Sequence, residues 1–174
     1  CLVLGRSAFA QRTLSLLALG AVVVVAGALV AVTDTAGPQV LSIGGWGPDG
    51  IVLVADRLSS LLLLVSSIVT LCVLAYAHGQ GIVEAGPGAS LSVFHPTFLV
   101  LCAGVSNAFL TGDLFNLYVS VEILLVSSYV LITLGATRTR VRAGMVYVVV
   151  SLLSSVLLVT GLAALYSVTG TVNL

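Results

Sequence analysis

Hydrophobic runs, with polar residues as sparse interruptions, divide this chain into its elements. Five of those runs are long enough to cross about 30 Å of hydrocarbon, which takes roughly 20 helical residues. They predict helices over Thr13–Val32, Leu58–Ala77, Pro96–Thr111, Leu114–Leu134 and Ala143–Val168. The third is short for a span, which predicts little tilt or a locally thinned bilayer.

The punctuation between the runs supports this division. Asp56 stands where it can cap the second helix by accepting from its first free amides. Pro96 suits the first turn of the third, where its missing donor costs nothing. Gly112 followed by Asp113 predicts a helix end and a new N-cap in immediate succession, hence a tight helical hairpin. Gly135 closes the fourth helix. The segment Gly44–Gly50, GGWGPDG, is too rich in Gly and Pro to be helical, and its Trp46 is placed for a membrane interface.

Composition makes the solvent lipid. The chain is 59% hydrophobic and 7% charged, against about 25% charged in soluble domains; six acidic and six basic residues cannot cover a water-facing surface. The predicted class is an all-α polytopic membrane protein. Every basic residue is an arginine: Arg6, Arg12, Arg57, Arg138, Arg140 and Arg142. If the residues before the first span lie inside, only Arg57 lies outside, a clear positive-inside bias. Net charge is zero, and no basic run points to nucleic acid. Cys1, Cys72 and Cys102 lack the spacing of a zinc, haem or dithiol site. The apolar run Cys1–Gly5 at the start and the unmarked end at Thr171–Leu174 predict an internal piece of a larger protein, without a signal peptide.

Most polar residues have ordinary expectations. Asp34, Asp49 and Glu84 are expected in solvated loops, and His78 and His95 at membrane edges. Arg138, Arg140 and Arg142 read as a topology anchor, and Ser154 and Ser155 as small packing residues between helices. Glu122 resists such an account. It falls near the middle of the fourth run, where an ionised carboxylate costs about 2.5–3.5 kcal/mol, and no basic residue lies inside any run. Desolvation there favours the protonated carboxyl unless a buried cation holds it ionised. A helical wheel puts Tyr118, Glu122 and Tyr129 on one face, and Asp113, Asn116, Ser120 and Ser127 on another. A helix polar on two sides must face protein or a water-filled cavity. Glu122 is thus the candidate proton carrier, with Tyr118, Asn116, Ser120, Ser127 and Tyr129 as supporting polar residues.

The run GDLFNLYVSVEILLVSSYVLITLG (Gly112–Gly135), with GGWGPDGIVLVADRLSSL (Gly44–Leu61) and LYSVTGTVNL (Leu165–Leu174), resembles the D-type subunits of Mrp-type multisubunit sodium/proton antiporters. These are similar to the antiporter-like proton-pumping subunits of respiratory complex I and membrane-bound hydrogenases. The resemblance implies about fourteen transmembrane helices built around two inverted repeats with midplane sites. This chain would supply the tail of helix 1 and helices 2 to 6. It also implies that Glu122 is the family's glutamate on helix 5, paired with a buried lysine on helix 7, a residue type this chain lacks. Partners would be other antiporter subunits, the bilayer, protons and a monovalent cation, Na⁺, in a bacterial inner membrane. A redox-driven proton-pumping subunit and a purely structural subunit are the alternatives. No span carries a metal cluster, a nucleophile with its base or a cofactor motif, so neither a metal, a cofactor nor an enzyme is expected.

Overall fold

The computed structural model describes residues 8–44, 50–80, 91–135 and 137–173; Cys1, Arg6, Trp46, Asp49 and Glu84 lie outside them. The elements are α1 (Ala8–Ala36), β1 (Gln39–Ile43), β2 (Ile51–Ala55), α2 (Arg57–Gly79), α3 (Leu91–Leu110), α4 (Leu114–Thr133) and α5 (Arg138–Thr169). All five described helices are long and apolar enough to span a membrane. Their Leu, Val and Ile side chains are largely exposed, as lipid-facing helices require. This is a multi-pass membrane protein.

Helices α1, α2 and α3 pack as a three-membered group; α4 lies against α3, and α5 chiefly against α4. A small core of Leu19, Leu74 and Cys102, with Leu71, Phe98 and Leu99 around it, joins the first three. Arg57 at the start of α2 pairs with Asp34 near the end of α1 at 3.0 Å. Asp34 is therefore helical and paired, not a loop residue, though exposure to water makes the pair worth little.

Helix α3 corrects the short third span. It starts at Leu91 and runs 20 residues, about 30 Å at 1.5 Å per residue, so no thinning is needed. Pro96 consequently lies inside the helix, where it removes one ladder hydrogen bond.

Two short strands were not expected from the hydrophobic pattern. β1 and β2 form an antiparallel hairpin with Gln39 opposite Ala55 and Ile43 opposite Ile51. Gly37, at φ +80°, ends α1 in the left-handed region that glycine tolerates, and β-branched Val40, Ile43, Ile51, Val52 and Val54 favour strands. The hairpin clamps the α3–α4 turn. The Gly112 amide donates to the Val52 carbonyl at 2.8 Å, and a Cβ at Gly112 would come within 2.7 Å of Val54 Cγ2. From the other side, the Leu114 amide donates to the Val172 carbonyl at 2.9 Å. Such pairing satisfies backbone groups that hydrocarbon cannot.

Local caps fix the helix ends. Asp56 accepts from the Ser59 amide at 2.7 Å, while the Asp56 amide donates to the Ser59 hydroxyl at 2.9 Å, a reciprocal capping box. These bonds from the Ser59 backbone and side chain hold the Asp56 carboxyl below its ordinary value. Loss of the cap should cost about 1 kcal/mol in Asp56→Ala. A depressed carboxyl stabilises the fold fully above its unfolded value of about 4 and loses that contribution as pH falls through the folded value. Thermal unfolding of the two proteins should therefore differ at neutral pH and converge in acid.

Candidate functional site

Glu122 is the ninth residue of α4, about 12 Å from its start at 1.5 Å per residue. Its carboxylate points to α5, where the Ser155 hydroxyl hydrogen-bonds to Oε1. The same hydroxyl lies 3.4 Å from the Tyr118 hydroxyl, one turn before Glu122. Glu122, Tyr118 and Ser155 thus form a polar group in the α4–α5 seam, and Glu122 is only half-buried. Among the described residues, no cation pairs with it.

Ser155 is buried, and its contact with the carboxylate corrects its reading as a plain packing residue. Ser154 differs: it is exposed and satisfies its hydroxyl on the Val150 carbonyl at 3.0 Å. The sequence presents two adjacent serines; only packing tells which one turns inward.

The second polar face of α4 meets α3. Asn107 of α3 donates to Asn116 Oδ1 at 3.1 Å and to Ser120 Oγ at 2.7 Å. Asn116 in turn donates to Thr111 Oγ1 at 2.9 Å. Asp113 caps α4 by accepting from the Asn116 amide at 2.7 Å. Asn116 and Ser120 are buried in this seam and face away from Glu122. Ser127 is buried too, but donates to its own helix, to the Ile123 carbonyl at 2.8 Å. Tyr129 lines a separate crevice of about 310 Å³ with Thr133, Val141, Gly144 and Met145. Of the supporting residues, the structure gathers only Tyr118 beside Glu122.

Asn107 was missed, although an amide inside an otherwise apolar run is the signal that finds it. It also lines a cavity of about 610 Å³ between α1, α2 and α3, with Ser66, Ser67, Thr70 and Ser106 among mostly apolar walls. Close helix approach makes the α3–α4 seam possible. A Cβ at Gly104 would lie 3.2 Å from both Ile123 Cγ2 and the Ser120 carbonyl oxygen. At the other end of α4, the Arg140 guanidinium donates to the Leu134 carbonyl at 2.7 Å, so one anchor arginine also closes the α4–α5 turn.

This arrangement has counterparts among known proteins. Residues 111–174 match the family described as NADH:quinone oxidoreductase/Mrp antiporter, transmembrane. The D-type Na⁺/H⁺ antiporter subunit of Bacillus subtilis (strain 168) is 46% identical over 153 residues, covering 87% of this chain and 30% of that protein. Over most of its length the chain is therefore similar to D-type subunits of such antiporters. The D-type Na⁺/H⁺ antiporter subunit of Alkalihalophilus pseudofirmus is 42% identical over 139 residues, 79% of this chain and 27% of its own length.

The solved structures agree in fold. A chain of the Mrp complex from Dietzia sp. DQ12-45-1b superposes with TM-score 0.87 at 35% identity, over 98% of this chain and 32% of that one. A chain of a membrane-bound sulfane sulfur reductase, an archaeal respiratory membrane complex, gives TM-score 0.84 at 29% identity, over 93% and 33%. The chain spans about a third or less of each of these relatives.

Proposed function

We propose that this chain is the first part of the proton pathway in a D-type subunit of a multisubunit monovalent cation/proton antiporter. The observation that carries the reading is Glu122, a mid-helix carboxylate held by Ser155, whose hydroxyl also reaches Tyr118, in a chain 46% identical to a D-type antiporter subunit. In this reading α1 to α5 are helices 2 to 6 of the family fold. The end bearing Arg12, Arg138, Arg140 and Arg142 faces the cytoplasm of a bacterial inner membrane. Other subunits complete the assembly.

Glu122 exchanges protons with water reaching the α4–α5 seam. A lysine in the remainder of the protein supplies the opposing charge. Its approach favours the ionised carboxylate, and its retreat favours proton uptake. Ser155 holds the carboxylate in one orientation through both states, and its hydroxyl and that of Tyr118 beside it offer groups on which a proton chain can continue.

A redox-driven proton pump is the second reading, favoured by the similarity to an archaeal respiratory complex. One measurement separates them. The complete complex, in everted membrane vesicles carrying an imposed pH gradient, is given Na⁺ with no electron donor. Collapse of the gradient on adding Na⁺ supports antiport. Proton movement that requires an electron donor and ignores Na⁺ replaces the first reading with the second. An unresponsive gradient under both conditions rejects both.

A further inference from the structure

The start of α5 carries positive charge that the described residues leave unanswered. Arg138, Arg140 and Arg142 stand in its first two turns, and they do not point alike. Arg140 turns across to α4 and donates to the Leu134 carbonyl, at a helix C-terminus where a cation is favoured. Arg138 and Arg142 lie on another stripe, in line with Met145 and Val149 at i, i+4, i+7 and i+11. Both are exposed, and neither guanidinium has a hydrogen bond or ion pair among the described residues. The described carboxylates are elsewhere: Asp34, Asp56 and Asp113 stand at the opposite ends of their helices, and Glu122 at mid-helix. Glu84 lies outside the described residues. The positive end of the α5 dipole adds to the same excess.

Below these guanidinia, toward the membrane interior, runs the crevice of about 310 Å³ between α4 and α5. Its upper wall is Val141, next to Arg142 in the chain, and Met145 and Val149 continue it downward. Behind, the crevice is closed, because buried Gly144 sits so tightly under Thr133 that a Cβ would collide with its methyl group. In front it is open, since Val141, Met145 and Val149 are all exposed. Tyr129 lines it from α4, four residues before that helix ends. That is about 6 Å at 1.5 Å per residue, the depth at which interfacial tyrosines sit. The Thr133 hydroxyl is already spent on the Tyr129 carbonyl at 2.8 Å.

We propose that this crevice binds an anionic phospholipid, its phosphate between Arg138 and Arg142 and an acyl chain along Met145 and Val149. The site and the molecule have the same order in depth: charge at the surface, a polar ring below it, and apolar walls beneath. Basic residues near a bilayer attract anionic lipid in general; the crevice ties that attraction to one place. A zwitterionic lipid brings its own cation to the guanidinia and gains less. A neighbouring helix with apolar side chains would cover the crevice and leave both charges without an anion. Bound there, the lipid braces α4 against α5, the helices that carry Glu122 and Ser155. The site requires only that α4 and α5 span a bilayer, and it stands whether or not the chain serves antiport.

Photocrosslinking on the full-length protein in its complex tests the site. Benzoylphenylalanine replaces Met145, and the complex is reconstituted in phosphatidylcholine bilayers containing a minor share of phosphatidylglycerol. Among the lipid adducts, phosphatidylglycerol should exceed its share of the bilayer at least about tenfold, the scale of two arginines acting near one phosphate. Arg138→Gln combined with Arg142→Gln should return the adducts to bulk proportion. Arg138→Lys combined with Arg142→Lys keeps both charges and should keep most of the enrichment. If the Gln pair fails to assemble, Val141→Trp, which fills the upper crevice and leaves the charges in place, should abolish the enrichment instead. Adducts in bulk proportion in the parent overturn the proposal, as does enrichment that survives both the Gln pair and Val141→Trp. Adducts formed chiefly with another helix of the complex also overturn it, because the crevice is then a protein contact.

Discussion

Replacing Glu122 with Gln is expected to lower cation-driven proton movement at least about a hundredfold, the scale of a lost proton-transferring side chain, with complex abundance unchanged. Gln keeps the volume and still offers an oxygen to Ser155, so the α4–α5 seam should close as before. What it lacks is a proton to bind and release. Glu122→Asp retains the carboxyl but draws it back from Ser155 by about one methylene, about 1.5 Å, and should keep partial activity. The readouts are the Na⁺-induced collapse of a pH gradient in everted vesicles and the amount of assembled complex in the same membranes. Normal transport by a fully assembled Glu122→Gln complex would remove Glu122 from the pathway. Reduced abundance with normal activity per complex would make it an assembly contact.

The second large effect is expected at a residue without a side chain. At Gly104 the three atoms nearest a new Cβ are Ile123 Cγ2, the Ser120 carbonyl oxygen and the Leu124 amide, at 3.2, 3.2 and 3.3 Å. Two of these belong to the α4 backbone and cannot rotate away. Gly104→Ala needs a shift of a few tenths of an ångström. Gly104→Leu forces the helices apart, an overpacking cost of about 1–3 kcal/mol. It also pulls Asn107 from Asn116 and Ser120, and each buried polar group left unpaired costs about a further 1–3 kcal/mol. Against a total stability of about 5–15 kcal/mol this is severe. The Leu variant should fail to accumulate or unfold at markedly lower temperature, while the Ala variant stays close to the parent. A Leu variant that melts with the parent would show that the α3–α4 seam is looser than its geometry.

Much of the architecture was legible because lipid imposes it. A run of about 20 apolar residues has few alternatives to a spanning helix once backbone groups must satisfy each other. Caps were legible because they are local: Asp56 reaches Ser59 and Asp113 reaches Asn116, each three residues on. Helix α3 escaped because Pro96 resembles a helix start from sequence. Its true start is supported by contacts made through His95, whose partner Ser15 is 80 residues away. The hairpin escaped because two five-residue strands are too short for periodicity to register beside long apolar runs.

Glu122 stood out from the sequence alone, since a carboxylate at mid-membrane is costly wherever it points. The wheel of α4 likewise separated Tyr118 and Glu122 from Asn116 and Ser120, because helical periodicity is a local property. Which neighbour each face meets is not local. Tertiary structure turned one face to Ser155 and the other to Asn107, chose Ser155 over Ser154, and brought two histidines from different helices into a stack. Those pairings depend on how closely glycines let helices approach and on contacts between residues far apart in the chain. The sequence determined what the helices are and where the mid-helix carboxyl lies; packing decided what that carboxyl touches.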